Sequence, residues 1–139
     1  MEITRREALM GSLLPLLEFA RGAAAEAQTA RPPDNTVFQH DLPNVTLDDW
    51  QVNVSTITLA PGSVGSPHRH PGFVLVYILE GQVVTKISGQ QEMTYSAGQM
   101  FYEQPGATHE VSRNASATQP AKFLAMIFAK KGLPLLTPA

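Results

Sequence analysis

The chain has 139 residues, a length that suits one compact domain. Its formal net charge is −2 and it has no cluster of lysine and arginine, so we expect no nucleic-acid partner. Without cysteine it can form neither a disulfide nor a thiolate site, and any metal must be bound by imidazole and oxygen ligands. Eleven prolines and ten glycines favour many short elements joined by turns, as in an all-β protein.

Residues 1–27 combine the features of an export signal. The pair Arg5-Arg6 follows Thr4, an apolar segment spans residues 8–20, and small residues in an A-x-A arrangement end the stretch. These features are typical of secretory signals, and the arginine pair resembles a twin-arginine signal, so we predict a periplasmic protein. The alternative is an amphipathic helix that stays attached to a cytoplasmic protein. The apolar run is too short to span a membrane.

Residues 28–35 are polar and rich in proline, which indicates a linker, and residues 36–139 are predicted to form one β-barrel domain. A helical or disordered segment is expected only at the N-terminus. The pattern of apolar residues and turns predicts short strands, namely 36–40, 50–60, 73–79, 82–87, 92–95, 100–103, 109–112 and 121–129. The last of these is long and apolar enough to form a helix instead. Such closely spaced strands predict an antiparallel sandwich or a small barrel.

The segment 50–60 changes its phase of alternation. Val52 and Val54 lie on one parity, whereas Ile57 and Leu59 lie on the other. A strand with a single buried face would keep one parity throughout, so the change predicts a β-bulge or a bend.

Three histidines form the strongest functional signal. His68 and His70 immediately precede the most apolar strand, and residues i and i+2 of an extended segment point to the same face. His109 follows the turn Pro105-Gly106 and can approach from a neighbouring strand. Three imidazoles that converge in the mouth of a small barrel predict a site for one metal ion.

The spacing of these histidines and of several glycines resembles the two sequence motifs of the cupin superfamily. The first motif is matched by Gly62, His68, His70 and Gly81, and the second by Gly98, Gly106 and His109. Within the second motif, Pro105 and Asn114 each lie one residue late. The resemblance implies an antiparallel jelly-roll β-barrel and one divalent transition metal (Fe, Zn, Ni, Mn, Co or Cu) bound by the three histidines.

The chain departs from the cupin pattern at the carboxylate ligand. Val74 stands where the family usually has a glutamate, and it shares the parity of His68 and His70, so it should face the interior. We expect Val76 and Phe101 to line the same pocket. Glu103 shares the parity of Phe101; if it points inward, it is a fourth ligand or a catalytic acid/base group. The alternative is a one-residue slip that turns Glu103 outward.

Several activities are consistent with this pattern. The resemblance implies a metal-dependent enzyme with a small-molecule substrate, and an open three-histidine site favours dioxygenase-like chemistry. One alternative is Lewis-acid chemistry without redox change, as in a lyase, a decarboxylase or an isomerase, including hydroxynitrile-lyase-like members. Another is a non-catalytic module that binds a small ligand. Outward apolar residues in 73–79, together with the resemblance, predict a homodimer.

Overall fold

The computed structural model describes residues 35–139, which form nine β-strands and contain no helix. This range also holds no apolar helix of membrane-spanning length. The predicted export signal, residues 1–27, and the expected N-terminal helical or disordered segment lie outside the described residues.

The strands are short and are separated by turns, as the density of glycine and proline predicts. In chain order they are β1 (Trp50–Leu59), β2 (His68–Arg69), β3 (Phe73–Glu80), β4 (Gln82–Ile87), β5 (Met93–Ser96), β6 (Met100–Glu103), β7 (Thr108–Asn114), β8 (Ala121–Lys130) and β9 (Thr137–Pro138). The segment 121–129 is therefore a strand rather than a helix.

Two antiparallel sheets enclose the core. One has the strand order β1-β8-β3-β6, and the other has the order β5-β4-β7-β2-β9. Inward side chains from both sheets meet in one apolar cluster, which includes Val74, Val76, Ile78, Val83, Phe101 and Phe123. Strand β3 is buried along most of its length, which explains why its sequence is apolar at nearly every position. The predicted all-β, antiparallel jelly-roll architecture is confirmed.

The prediction of a β-bulge in β1 is wrong. Its pairing with β8 runs without interruption from Trp50 opposite Lys130 to Leu59 opposite Ala121. Ile57 packs against the core cluster, whereas Val52 and Val54 point outward with 49% and 58% of their surface exposed. The apparent phase change arises because apolar residues occupy both faces of a regular strand.

The predicted strand at residues 36–40 is also absent, since residues 35–49 contain no strand. This segment is held to the barrel by side chains instead, because the ring of His40 stacks on Tyr102 with centroids 4.1 Å apart. A segment with a strand-like pattern forms no strand where no sheet edge pairs with it.

Strand β7 contains the irregularity that shapes the functional end of the barrel. Opposite the step from Lys86 to Ile87 in β4, β7 advances two residues, from Val111 to His109. This is the geometry of a β-bulge, which re-aims the side chains on either side of it. The extra residue falls within the interval from His109 to Asn114, where the chain is one residue longer than the cupin motif.

Asn114 remains buried despite this shift and joins three loops. Its side-chain amide donates hydrogen bonds to the carbonyl groups of Leu59, Ala60 and Gln119. Its side-chain oxygen accepts a hydrogen bond from the backbone N–H of Ser116. Asn114 therefore stabilises the connections that close this side of the barrel.

We predict that Asn114→Ala lowers the free energy of unfolding by about 2 kcal/mol or more, because it leaves several buried carbonyl groups without a partner. Urea denaturation measures the change. Asn44→Ala, at an exposed position outside the strands, is the matched control and should have no measurable effect. Equal stability of the two variants would show that this network contributes little.

Candidate functional site

A cavity of about 210 Å³ opens between the two sheets. Its polar lining consists of His68, His70, Glu103, His109 and Ser112. The remaining lining side chains are apolar, and they include the three residues expected to line a pocket, which are Val74, Val76 and Phe101. The structure thus brings together in one cavity all of the site residues considered from the sequence.

Strand pairing positions the three imidazoles. Strand β2 pairs with β7 so that His68 lies directly opposite His109, and His70 follows two residues after His68. The ring of His68 lies 5.0 Å from the ring of His70 and 5.0 Å from that of His109, measured between centroids. Two short strands from distant parts of the sequence therefore create the cluster.

Backbone carbonyl groups set the tautomers of two of these rings. Nδ1 of His68 donates a hydrogen bond of 2.9 Å to the carbonyl of Ser66, and Nδ1 of His70 donates one of 2.6 Å to that of Leu135. A carbonyl only accepts, so in the neutral rings Nδ1 carries the proton and Nε2 keeps a free lone pair. In metal sites, a hydrogen bond from the second ring nitrogen to a carbonyl group orients the imidazole that binds the ion.

The environment of His68 also favours its neutral form. Partial burial lowers the pKa of His68 below the usual 6.5, and the neighbouring rings of His109 and His70 lower it further. The hydrogen bond to Ser66 and the charge of Glu103 oppose this change. Because the neutral ring is the form that can donate a lone pair, the environment of His68 favours ligation at neutral pH.

Glu103 points into the cavity, so of the two orientations that the sequence left open the structure has the inward one. Its residue surface is 4% exposed, and its carboxylate lies 3.3 Å from Nδ1 of His109 and 3.9 Å from Nε2 of His70. In the sheet it stands directly opposite Val74. The carboxylate therefore approaches the histidines from the strand adjacent to the position where the cupin motif would place it.

His109 lies between the carboxylate of Glu103 and a buried hydroxyl. Its Nε2 shares a hydrogen bond of 2.6 Å with Oγ1 of Thr85 on β4. An ionised carboxylate only accepts, so in the neutral ring the Nδ1 proton faces Glu103 and Nε2 accepts from the hydroxyl of Thr85. A carboxylate, an imidazole and a hydroxyl are thus connected in a line through the core.

Sequence reasoning missed three contributors to this site, which are Thr85, Ser112 and the carbonyl of Leu135. Thr85 shares the inward parity of Val83, so a polar residue on a core-facing position was a signal that could have found it. Ser112 reaches the cavity only because of the bulge in β7. The contact of Leu135 depends on a loop about 65 residues away from His70 and has no sequence signal.

The chain matches a family model described as Cupin domain over residues 55–127, which is more than half of its length. The protein belongs to the cupin family. A search of curated proteins finds no match.

Solved structures with the same fold are only distantly related to this cupin. A DMSP lyase from Ruegeria pomeroyi DSS-3 is 16% identical with a TM-score of 0.55, and the match covers 63% of this chain and 43% of that one. A double-stranded β-helix protein from Klebsiella pneumoniae is 19% identical with a TM-score of 0.54, covering 63% and 74%. A mutant oxalate decarboxylase of Bacillus subtilis is 20% identical with a TM-score of 0.54, covering 63% and 23%. The chain spans less than half the length of the DMSP lyase chains that it matches.

The donor set of this cupin fits a divalent transition metal. His68 and His70 have Nε2 lone pairs that make no hydrogen bond within the described part of the chain. Glu103 is a buried carboxylate whose charged or polar contacts among residues 35–139 are the imidazoles of His70 and His109, which is an expensive arrangement without a cation. As the side chains stand, no group of three or more His, Asp or Glu in residues 35–139 is arranged to hold an ion. In this arrangement Nδ1 of His109 faces Glu103, and Nε2 is hydrogen-bonded to Thr85. Ligation by His109 requires its ring or Glu103 to turn.

We predict that Thr85→Val lowers the free energy of unfolding by about 1–3 kcal/mol, because it leaves Nε2 of His109 buried without a partner. It should also change the ¹⁵N chemical shifts of the His109 ring, which report its tautomer. Thr85→Ser keeps the hydroxyl and should restore both properties. If the valine variant retained the wild-type ring shifts, Thr85 would have no part in orienting His109.

Proposed function

We propose that this cupin is a metal-dependent enzyme that acts on a small molecule by acid–base chemistry without redox change, in the manner of a lyase. The observation that carries the proposal is the position of Glu103. It is a buried carboxylate within 3.3–3.9 Å of two imidazole nitrogens, and it faces a small cavity that is otherwise largely apolar. A carboxylate in such surroundings is a suitable general base.

His68 and His70, through their free Nε2 atoms, and His109 would hold one divalent ion, of which Fe, Zn, Ni, Mn, Co and Cu are the candidates. The bound ion would supply Lewis-acid polarisation of a substrate oxygen. Glu103 is either the fourth ligand or the base. Its location opposite Val74 supports the first role, and its contact with the neighbouring His109 supports the second.

The residues of the chain account for proton transfer as follows. Glu103 takes a proton from the substrate at a carboxylate oxygen, and that oxygen lies 3.3 Å from Nδ1 of His109. The hydroxyl of Thr85 holds Nε2 of the ring, so Nδ1 is the atom through which His109 would bind the ion once the carboxylate of Glu103 has turned away from it. Apolar walls limit the access of water and strengthen these interactions.

The comparisons support this class of chemistry at the level of the fold. The matched structures include proteins named DMSP lyase and oxalate decarboxylase, so the barrel accommodates lyase and decarboxylase reactions. The dioxygenase alternative requires a redox metal and uptake of O₂. Turnover under anaerobic conditions with Zn, Mn or Co supports the proposal, whereas oxygen consumption with Fe or Cu would support the alternative.

We predict that Glu103→Gln lowers turnover by about 100-fold or more and leaves most of the metal bound, because the amide keeps the shape of the side chain but cannot take the proton. Turnover and elemental analysis measure the two effects. Glu92→Gln, which changes an exposed carboxylate, is the control. Loss of the metal itself would make Glu103 a ligand rather than the base.

A second prediction uses the cross-strand relation of Val74 and Glu103. Side chains directly opposite each other in an antiparallel pair have Cβ atoms about 4.5–5.5 Å apart, so a carboxylate on either strand reaches the same region. If Glu103 is the fourth ligand, Glu103→Val alone should weaken zinc binding, and the double variant Val74→Glu/Glu103→Val should recover most of the affinity. Calorimetric titration with zinc measures both. A double variant that binds no better than Glu103→Val would contradict a shared position.

A homodimer and export to the periplasm complete the proposal. The outward residues Val52, Val54 and Leu79 give the four-stranded sheet an exposed apolar face, which a second copy would cover. Light scattering at micromolar concentration tests this arrangement, and a monomer would refute it. Fractionation of the native host tests export, and a protein confined to the cytoplasm with residues 1–27 attached would refute it.

A further inference from the structure

The polar and apolar parts of the cavity are separated along the strands. In the sheet that contains β3, β6 and β8, Glu103 and Ile127 lie directly opposite Val74 on the two neighbouring strands, and such a row of paired positions is called a level below. One level further along β3, Val76 stands opposite Phe101 on one side and Ala125 on the other. Beyond that, Ile78 stands opposite Phe123, which in turn faces Ile57 of β1. All ionisable groups on this wall therefore lie at one end.

The opposite sheet repeats this division. His68 and His109 lie opposite each other at the end that contains Glu103, whereas Val83 of β4 lines the cavity and belongs to the apolar core cluster. Ser112 is the only other polar side chain in the lining, and no lysine or arginine lines the cavity within the described part of the chain. A charged group at the end of the cavity away from the histidines would therefore meet no opposite charge.

Burial of an unpaired charge in such surroundings is strongly unfavourable, whereas burial of a hydrocarbon is favourable. The cavity, at about 210 Å³, is also smaller than the roughly 300–1,000 Å³ of pockets that take drug-sized ligands. A ligand that fills it must be short, and only one of its ends can be polar.

We propose that the cavity binds a small molecule with one polar, oxygen-bearing end and a short hydrocarbon body, and that it rejects molecules that carry a charge at the far end of that body. The polar end faces His68, His70, His109 and Glu103, and the hydrocarbon body contacts Val76 and Ala125. The reaction at the polar end rests on the proposed function, but the selection of the ligand rests on the apolar levels of the cavity alone. Dicarboxylates are therefore outside the substrate class.

The test compares pentanamide with glutaramate, which carries the same amide and a carboxylate at the far end. Binding is followed by NMR through the methyl signals of Val76 and Ala125, in metal-free and in zinc-loaded protein. We expect pentanamide to bind at least about tenfold more tightly than glutaramate and to shift both methyl signals. Equal or tighter binding of glutaramate with shifts of the same methyl groups would overturn the inference.

Two variants keep the test independent of the metal. Ala125→Leu should fill the cavity and abolish pentanamide binding, followed through Val76, whereas Thr56→Leu, at an exposed position on β1, should not. If Ala125→Leu does not fold, Val76→Ala enlarges the cavity and should bind hexanamide at least as tightly as pentanamide. Pentanamide binding that is unaffected by Ala125→Leu, or weaker binding of hexanamide than of pentanamide by Val76→Ala, would overturn the inference.

The outcomes also separate this inference from the proposed function. If pentanamide enters the metal-free protein but zinc does not bind, the selection of the ligand stands and the metal-dependent function fails. If zinc binds to the histidines but pentanamide leaves the methyl signals of Val76 and Ala125 unchanged, the function stands and the inference fails.

Discussion

A carboxylate enclosed between two β-sheets is the constraint on which this site depends. Glu103 lies beside Val74 and Phe101, and an ionised group in an apolar core persists only where hydrogen-bond donors or a cation stabilise it. The Nδ1 proton of His109 faces the carboxylate at 3.3 Å, whereas Nε2 of His70, at 3.9 Å, carries a lone pair and is not a donor, so a bound cation would complete the stabilisation. Glu103 lies on β6 in one sheet and His109 on β7 in the other, so the site forms only when both sheets are assembled.

The location of Glu103 explains how the site can contain a carboxylate although position 74, where the cupin motif has one, is a valine. Compared with the cupin motif position by position, the chain has lost a carboxylate. In three dimensions Glu103 supplies a carboxylate from the adjacent strand, directly opposite Val74 and within 3.3–3.9 Å of two histidine nitrogens. A pleated sheet permits this exchange because paired positions on neighbouring strands point to the same face.

The bulge in β7 lets His109 and Asn114 both face inward, which a regular strand would not allow. His109 must face the cavity, and Asn114 must face the buried turns that it joins. They are five positions apart, and in a regular strand an odd offset puts side chains on opposite faces. The additional residue opposite β4 restores the phase, and it also brings Ser112 into the lining of the cavity.

The sequence by itself determined the fold class, most strand positions and the identity of the candidate ligands, because alternation, turn residues and the H-x-H spacing are local properties. It did not determine the orientation of Glu103, since a one-residue slip exchanges the two faces of a strand. It misread β1, where apolar residues lie on both faces. The tertiary structure alone decided which groups hold each imidazole. Thr85 and the carbonyl of Leu135 contact His109 and His70 from distant segments, and strand pairing and loop path bring them there rather than any local pattern.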